Sequence, residues 1–216
     1  MAPDSCGRDG KVTAGAYRLP PFAPGQKIGL FGGSFNPPHD GHRAASLLAM
    51  RRLGLDWVWW LVSPGNPLKD THDLPPLDKR IAEVRALADH PRIEVTGIEA
   101  TIGTRYTFET ILWLTQHCPG VRFFWIMGAD NLASFHKWRC WRDIAALVPI
   151  VVVDRPNFTW SAVHSPAGEL LRRYRYDENN GRGFALAKPP AFIFLHGPRS
   201  FLSSTALREK RLHKDG

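Results

Sequence analysis

The sequence predicts an α/β fold, a doubly wound parallel sheet with helices on both faces, and three observations carry that expectation. Short apolar runs rich in β-branched and aromatic residues alternate with segments of helical period, the pattern of a sheet lying between helices. The runs are almost continuously hydrophobic, as strands buried on both faces must be. The first run ends in a glycine-rich loop that passes directly into a helix, a position that opens onto the ligand crevice in sheets of this type.

Strands are expected over residues 28–31, 57–62, 93–96, 123–127, 150–153 and 191–195. Helices are expected over 41–53, 77–90 and 107–117, as a short pair across 131–147, near 167–174, and after Ser203. In the second helix Ile81, Val84, Leu87 and Ala88 fall on one face, the stripe of an amphipathic helix. Residues 1–26, rich in Gly, Pro and charge and without period, read as a flexible arm. Residues 27–216 then form a single domain, a length that suits one core. The stretch 159–190 shows no clear period and reads as a mobile or irregular excursion.

Hydrophobic residues make up 44% and charged residues 22%, an ordinary globular mixture that excludes disordered and fibrous classes. The longest apolar run, 144–153, contains a proline and is about half the ~20 residues a membrane helix requires. Met1 to Gly10 carries Asp4 and Asp9 and lacks the apolar stretch of a secretory signal. Cys6, Cys118 and Cys140 are widely spaced, without a C-x-x-C pair, so a reducing, cytoplasmic setting is expected. The net charge of +8 suits anionic partners, either small phosphorylated substrates or nucleic acid. Its basic residues are dispersed, with modest clusters at 172–175 and 210–214, which argues against a nucleic-acid surface.

The chemistry concentrates in Gly32-Gly33-Ser34-Phe35-Asn36-Pro37-Pro38-His39-Asp40-Gly41-His42. Two glycines let backbone amides approach an anion, and the amides and dipole of the following helix favour phosphate. The loop is neither the G-x-G-x-x-G fingerprint nor a P-loop, so a different phosphate chemistry is implied. Three residues apart, His39 and His42 share a helix face and can address one ligand together. Capping or packing at the helix end is the structural alternative, and a zinc site would want three or four protein ligands. Near the other end, Ser203, Ser204 and Thr205 precede an apolar run and can cap a terminal helix. One turn further, Arg208 can fork onto phosphate oxygens with its planar donors.

Together these motifs resemble the nucleotidyltransferase superfamily, whose [ST]-x-G-H signature corresponds to His39-Asp40-Gly41-His42 and whose late motif corresponds to Ser203 through Arg208. Within it the chain is most similar to the bacterial nicotinate-nucleotide adenylyltransferase family. Further matching segments are Asn66-Pro67-Leu68-Lys69, Arg105-Tyr106-Thr107-Phe108-Glu109-Thr110, Ile126-Met127-Gly128-Ala129-Asp130-Asn131-Leu132 with Trp138 beyond, and Arg155-Pro156.

The resemblance implies a Rossmann-like fold and the reaction of ATP with nicotinate mononucleotide to give nicotinate adenine dinucleotide and pyrophosphate in NAD synthesis. It implies Mg²⁺ carried with the ATP phosphates and no metal site of the protein's own. Catalytic roles fall to His39, His42 and Arg208. ATP contacts fall to Gly32, Gly33, Ser34, Phe35, Lys69, Gly128, Asp130, Ser203 and Ser204, and acceptor contacts to Thr107, Trp138, Asp130 and Arg155. Alternatives are a sister enzyme using nicotinamide mononucleotide or phosphopantetheine as acceptor, or CTP as donor. From another class, a basic nucleic-acid-binding module would use the charge but leaves the histidine loop unexplained. Arg172-Arg173-Tyr174-Arg175 matches no motif and reads as a solvated basic face or a homo-oligomer contact.

Overall fold

A computed structural model describes residues 17–65, 74–154 and 158–197. The helix expected after Ser203 lies outside these residues. The strands are β1 (Lys27–Gly33), β2 (Trp57–Val62), β3 (Ile93–Thr96), β4 (Arg122–Gly128), β5 (Ile150–Val153), β6 (Arg175–Tyr176) and β7 (Phe192–Leu195). They form one sheet in the order β3-β2-β1-β4-β5-β7-β6, and every neighbouring pair is parallel. From β1 the chain winds outward through β2 to β3, then crosses back to β4. The direction of winding therefore reverses between β1 and β4, and a crevice opens there beyond their carboxyl ends.

Successive residues of each strand enter opposite cores, as the two-residue period of a strand requires. Phe31, Trp60, Phe124, Ile126 and Val151 pack under α1 (Asp40–Leu53), α2 (Leu77–Ala88) and α9 (Gly181–Phe184). Leu30, Trp59, Trp125, Met127 and Val152 pack under α3 (Ile98–Ile102), α4 (Thr107–His117), α5 (Ala129–Phe135), α6 (Trp141–Leu147), α7 (Thr159–Val163) and α8 (Pro166–Leu171). Trp59 and Trp60 are thus core residues on opposite faces, both fully buried.

The six expected strands are present, each within two residues of its expected ends. The reading of 159–190 as an irregular excursion is corrected: the segment folds into α7, α8, β6 and α9 with turns of 3-10 helix between them. Ala162, Ala167, Leu171 and Phe184 are fully buried there. Each element is too short to show a period, and polar side chains close the turns instead. Ser165 Oγ accepts from the Gly168 amide at 3.0 Å and Asn180 Oδ1 from the Gly183 amide at 3.2 Å, both N-cap bonds.

The stretch 17–26, expected to belong to a loose arm, is tied to the domain. Thr96 Oγ1 donates to the Arg18 carbonyl at 2.8 Å, Thr101 Oγ1 to that of Tyr17 at 3.0 Å, and the Gly25 amide to Gly120 at 2.8 Å. Among the described residues, no helix is long and apolar enough to cross a membrane.

Gly168 shows how tightly the α7–α8 corner is built. A Cβ at this position would lie 2.3 Å from the Ala162 carbonyl oxygen and 2.5 Å from that of Val163. Backbone cannot yield as a side chain can, so Gly168→Ala is expected to cost about 1–3 kcal/mol, measured as a lowered denaturant midpoint with an unchanged slope.

Candidate active site at the carboxyl edge of the sheet

At the end of β1 the space beside Gly32 is taken: a Cβ there would lie 2.5 Å from the Trp125 ring. The chain then turns at Phe35, whose φ of 47° is left-handed. Such backbone is uncommon for a bulky residue, and here burial opposes the strain. The Phe35 ring stacks on Trp60 at 5.3 Å between centroids and is buried. Phe35, expected among the ATP contacts, therefore places its side chain in the core beneath the loop.

His39 is the N-cap of α1 and His42 lies in its first turn. The rings pack 3.8 Å apart between centroids, with only 4% and 9% of the two residues exposed. Nδ1 of His42 lies 3.2 Å from both the amide and the carbonyl oxygen of His39. In the tautomer that accepts from the amide, the proton sits on Nε2, where it can donate to an oxyanion. Phe31, Phe35 and Trp60 surround the His42 ring at 5.8, 4.9 and 6.2 Å. Beneath it, Trp60 Nε1 donates to Ser46 Oγ at 2.8 Å, and that hydroxyl donates to the His42 carbonyl at 2.9 Å. Ring packing and this chain of bonds hold the imidazole in place.

The loops around the crevice share a tie that the sequence analysis missed. Arg80, on α2, is 1% exposed. Its Nη1 donates to the carbonyls of Ser34 at 2.9 Å and Ser63 at 2.8 Å, its Nη2 to Pro64 at 3.2 Å, and its Nε to Pro75 at 2.9 Å. One guanidinium thus joins the loop after β1, the loop after β2 and the entry to α2. Burial lowers its pKa from the usual arginine value, without bringing the group near neutrality at physiological pH. A signal was present: Arg80 precedes Val84 by one turn, so it is an arginine on the apolar face of α2.

Across the crevice, Gly128 closes β4 beside β1, and Asp130 lies in the first turn of α5. Thr107 opens α4. Trp138 lies in the turn between α5 and α6, not in a helix, half-buried and edge-on to Trp125 and Phe135. Next to it, Arg139 reaches the first turn of α4, with its guanidinium 4.6 Å from the Tyr106 ring and 3.3 Å from Glu109. This exposed strap draws the segments carrying Thr107 and Trp138 together, although such a pair contributes little to stability.

Behind Thr107, Thr110 Oγ1 lies 3.1 Å from Glu99 and 2.9 Å from Thr104 Oγ1. Burial raises the Glu99 carboxyl to about 7 against the opposing bond from Thr110. Lys69, Arg155, Ser203, Ser204 and Arg208 lie outside the described residues.

This arrangement, a histidine pair at the amino end of the first helix and at the winding reversal of a parallel sheet, defines a nucleotidyltransferase-type site. The chain belongs to the cytidylyltransferase-like family, whose model matches residues 30–210. Curated relatives are named probable nicotinate-nucleotide adenylyltransferase, and the chain belongs with them. That of Methylorubrum extorquens strain PA1 is 53% identical over 184 residues, covering 85% of this chain and 100% of the relative. That of Brucella abortus strain 2308 is 50% identical over 187 residues, covering 87% and 96%. The fold is shared with the Plasmodium falciparum nicotinic acid mononucleotide adenylyltransferase complexed with NaAD, at 16% identity and a TM-score of 0.62, covering 85% of this chain and 83% of that one.

Two outcomes follow from the buried polar groups. Arg80→Met strands four carbonyls and is expected to cost about 2–4 kcal/mol in denaturant unfolding. Arg80→Lys should recover only part, since an ammonium cannot reach all four carbonyls. For Glu99 the folded pKa lies above the unfolded value of 4.5. Its contribution is therefore fully present below pH 4.5 and is lost as pH rises to about 7. Glu99→Gln should gain stability relative to the native chain across that window, by about 1–3 kcal/mol, and hold the gain above it. Unfolding of both chains at pH 4, 6 and 8 measures this.

Proposed function

We propose that the chain transfers the adenylyl group of ATP to nicotinate mononucleotide, forming nicotinate adenine dinucleotide and pyrophosphate in NAD biosynthesis. The observation that carries this reading is the His39–His42 pair, held by aromatic rings at the amino end of α1 where β1 and β4 diverge. The names of relatives at 50% identity and above support the acceptor. We place the chain in the cytoplasm, on its three dispersed cysteines.

An oxygen of the acceptor phosphate attacks the α-phosphorus of ATP. The bond from that phosphorus to the bridging oxygen breaks, and pyrophosphate leaves with the electron pair. A phosphomonoester has a second pKa of about 6 and is already ionised near neutrality, so no general base is needed. What remains is alignment and electrostatic stabilisation. In this reading His39 and His42 donate to ATP phosphate oxygens, with His42 Nε2–H stabilising the α-phosphate as charge shifts to the leaving group. The Gly32, Gly33 and Ser34 backbone and the helix end cradle phosphate. Lys69, Ser203, Ser204 and Arg208 hold the triphosphate, and Gly128 and Asp130 flank the ribose. Thr107, Trp138, Asp130 and Arg155 receive the acceptor.

Mg²⁺ fits this site as an ion carried by substrate phosphates, the usual mode for this cation. Among the described residues, no group of three His, Cys, Asp or Glu side chains is placed to hold a metal. Bound with ATP, the ion would neutralise phosphate charge.

The test offers the protein, with Mg²⁺ and ATP, nicotinate mononucleotide, nicotinamide mononucleotide and phosphopantetheine in separate assays of pyrophosphate release. Turnover with the first is expected to exceed that with the others, and absence of turnover with it overturns the reading. His42→Ala should lower kcat/KM by about 10²–10³.

A further inference from the structure

The opposite edge of the sheet carries a second polar feature, which the reaction does not use. A cleft of about 610 Å³ lies where β1, β2 and β3 begin, ringed by Lys27, Arg51, Arg92 and Arg182. Its volume is in the range of small-molecule sites, roughly 300–1,000 Å³. Met50 and Leu55, both buried, supply an apolar floor. The cations come from separate parts of the chain: the start of β1, the last turn of α1, the approach to β3, and α9.

The bland account is that these cations answer the carboxyl end of α1, which faces the cleft at Gly54. A helix end presents only about half a negative charge. The sole carboxylate in the lining, Asp56, already accepts the Lys27 amide at 2.7 Å. Four permanent cations exceed both together. At the lining residue His90, burial first, then the charges of Arg92 and Arg43 against that of Asp89, hold the imidazole below its ordinary range. Gly54, left-handed at φ 64°, leaves its Cα face to the Arg182 guanidinium, so the arginine lies over the turn.

We infer that this cleft binds a phosphorylated small molecule of nucleotide size, its anionic groups among Lys27, Arg51, Arg92 and Arg182 and its apolar part on Met50 and Leu55. The cleft is open to solvent, but its cations ring one hollow of limited volume instead of lining a stripe, which suits a compact ligand better than a polynucleotide tracking along a groove. The site is separate from the crevice. From His42 to Arg51 is nine residues of α1, which at ~1.5 Å each sets the cationic rim about 14 Å along the helix from the histidine.

The experiment titrates the full chain, labelled with ¹⁵N, with adenosine 5′-monophosphate and, separately, with adenosine. Amide signals of Gly54, Asp56 and Arg92 report the cleft, and those of Gly33 and Gly128 report the crevice. The monophosphate should shift the first group saturably and adenosine should not. In Arg51→Ala/Arg92→Ala the midpoint for the first group should weaken at least about tenfold, as loss of charge-assisted contacts requires, with the second group unchanged. Arg51→Lys/Arg92→Lys should retain binding and controls for damage to the fold. The inference is overturned if the cleft amides stay still at millimolar monophosphate, respond equally to adenosine, or keep their midpoint in the alanine variant. It is also overturned if they respond to a single-stranded oligonucleotide and not to the monophosphate.

Discussion

Covering a parallel sheet on both faces leaves polar chemistry only the two ends of its strands. Here β1, β2, β4 and β5 send alternate side chains into two apolar cores, and desolvating an unpaired polar group there would cost several kcal/mol. What the protein does with charge must therefore happen beyond the carboxyl ends or before the amino ends. The histidine pair occupies the first region and the cationic cleft the second. Helix α1 runs between them, its amino end at one and its carboxyl end at the other.

At the carboxyl edge the problem is to hold flexible loops in one shape. Three of the loop segments around the crevice carry carbonyls that converge on a single buried guanidinium, Arg80. A lysine, with one nitrogen, could not match their directions. His42 is held differently, by ring contacts with Phe31, Phe35 and Trp60 and by the His39 backbone at Nδ1. Groups fixed in advance need no reorganisation when charge moves during a reaction, and this is why such burial favours catalysis.

The core strands were legible because each run of apolar residues is continuous and bounded by turn residues. The glycine–histidine loop was legible because its residue types and its place after the first strand point to the same chemistry. Within residues 159–184 the helix expected near 167–174 was legible, and α8 with the 3-10 turn after it occupies that place; the other elements, two to five residues long, were not, and they stand on individual caps such as Asn180. Arg80 carried a faint signal, a charge on an apolar helix face, that means nothing until its acceptors are known. Trp138 and Thr107 were singled out through family resemblance. That Arg139 straps their segments together, through Tyr106 and Glu109, was not.

By itself the sequence determined the class of fold and the position of the glycine–histidine loop, because both follow from local order: strand period, glycine content, and histidines three apart. Only the tertiary structure decided the strand order, the packing of Trp60 against the His42 ring, the four-carbonyl clamp of Arg80, and the gathering of Lys27, Arg51, Arg92 and Arg182 into one cleft. These depend on contacts between residues distant in the chain. Such pairings arise when helices and strands pack, and no local pattern of residues encodes them.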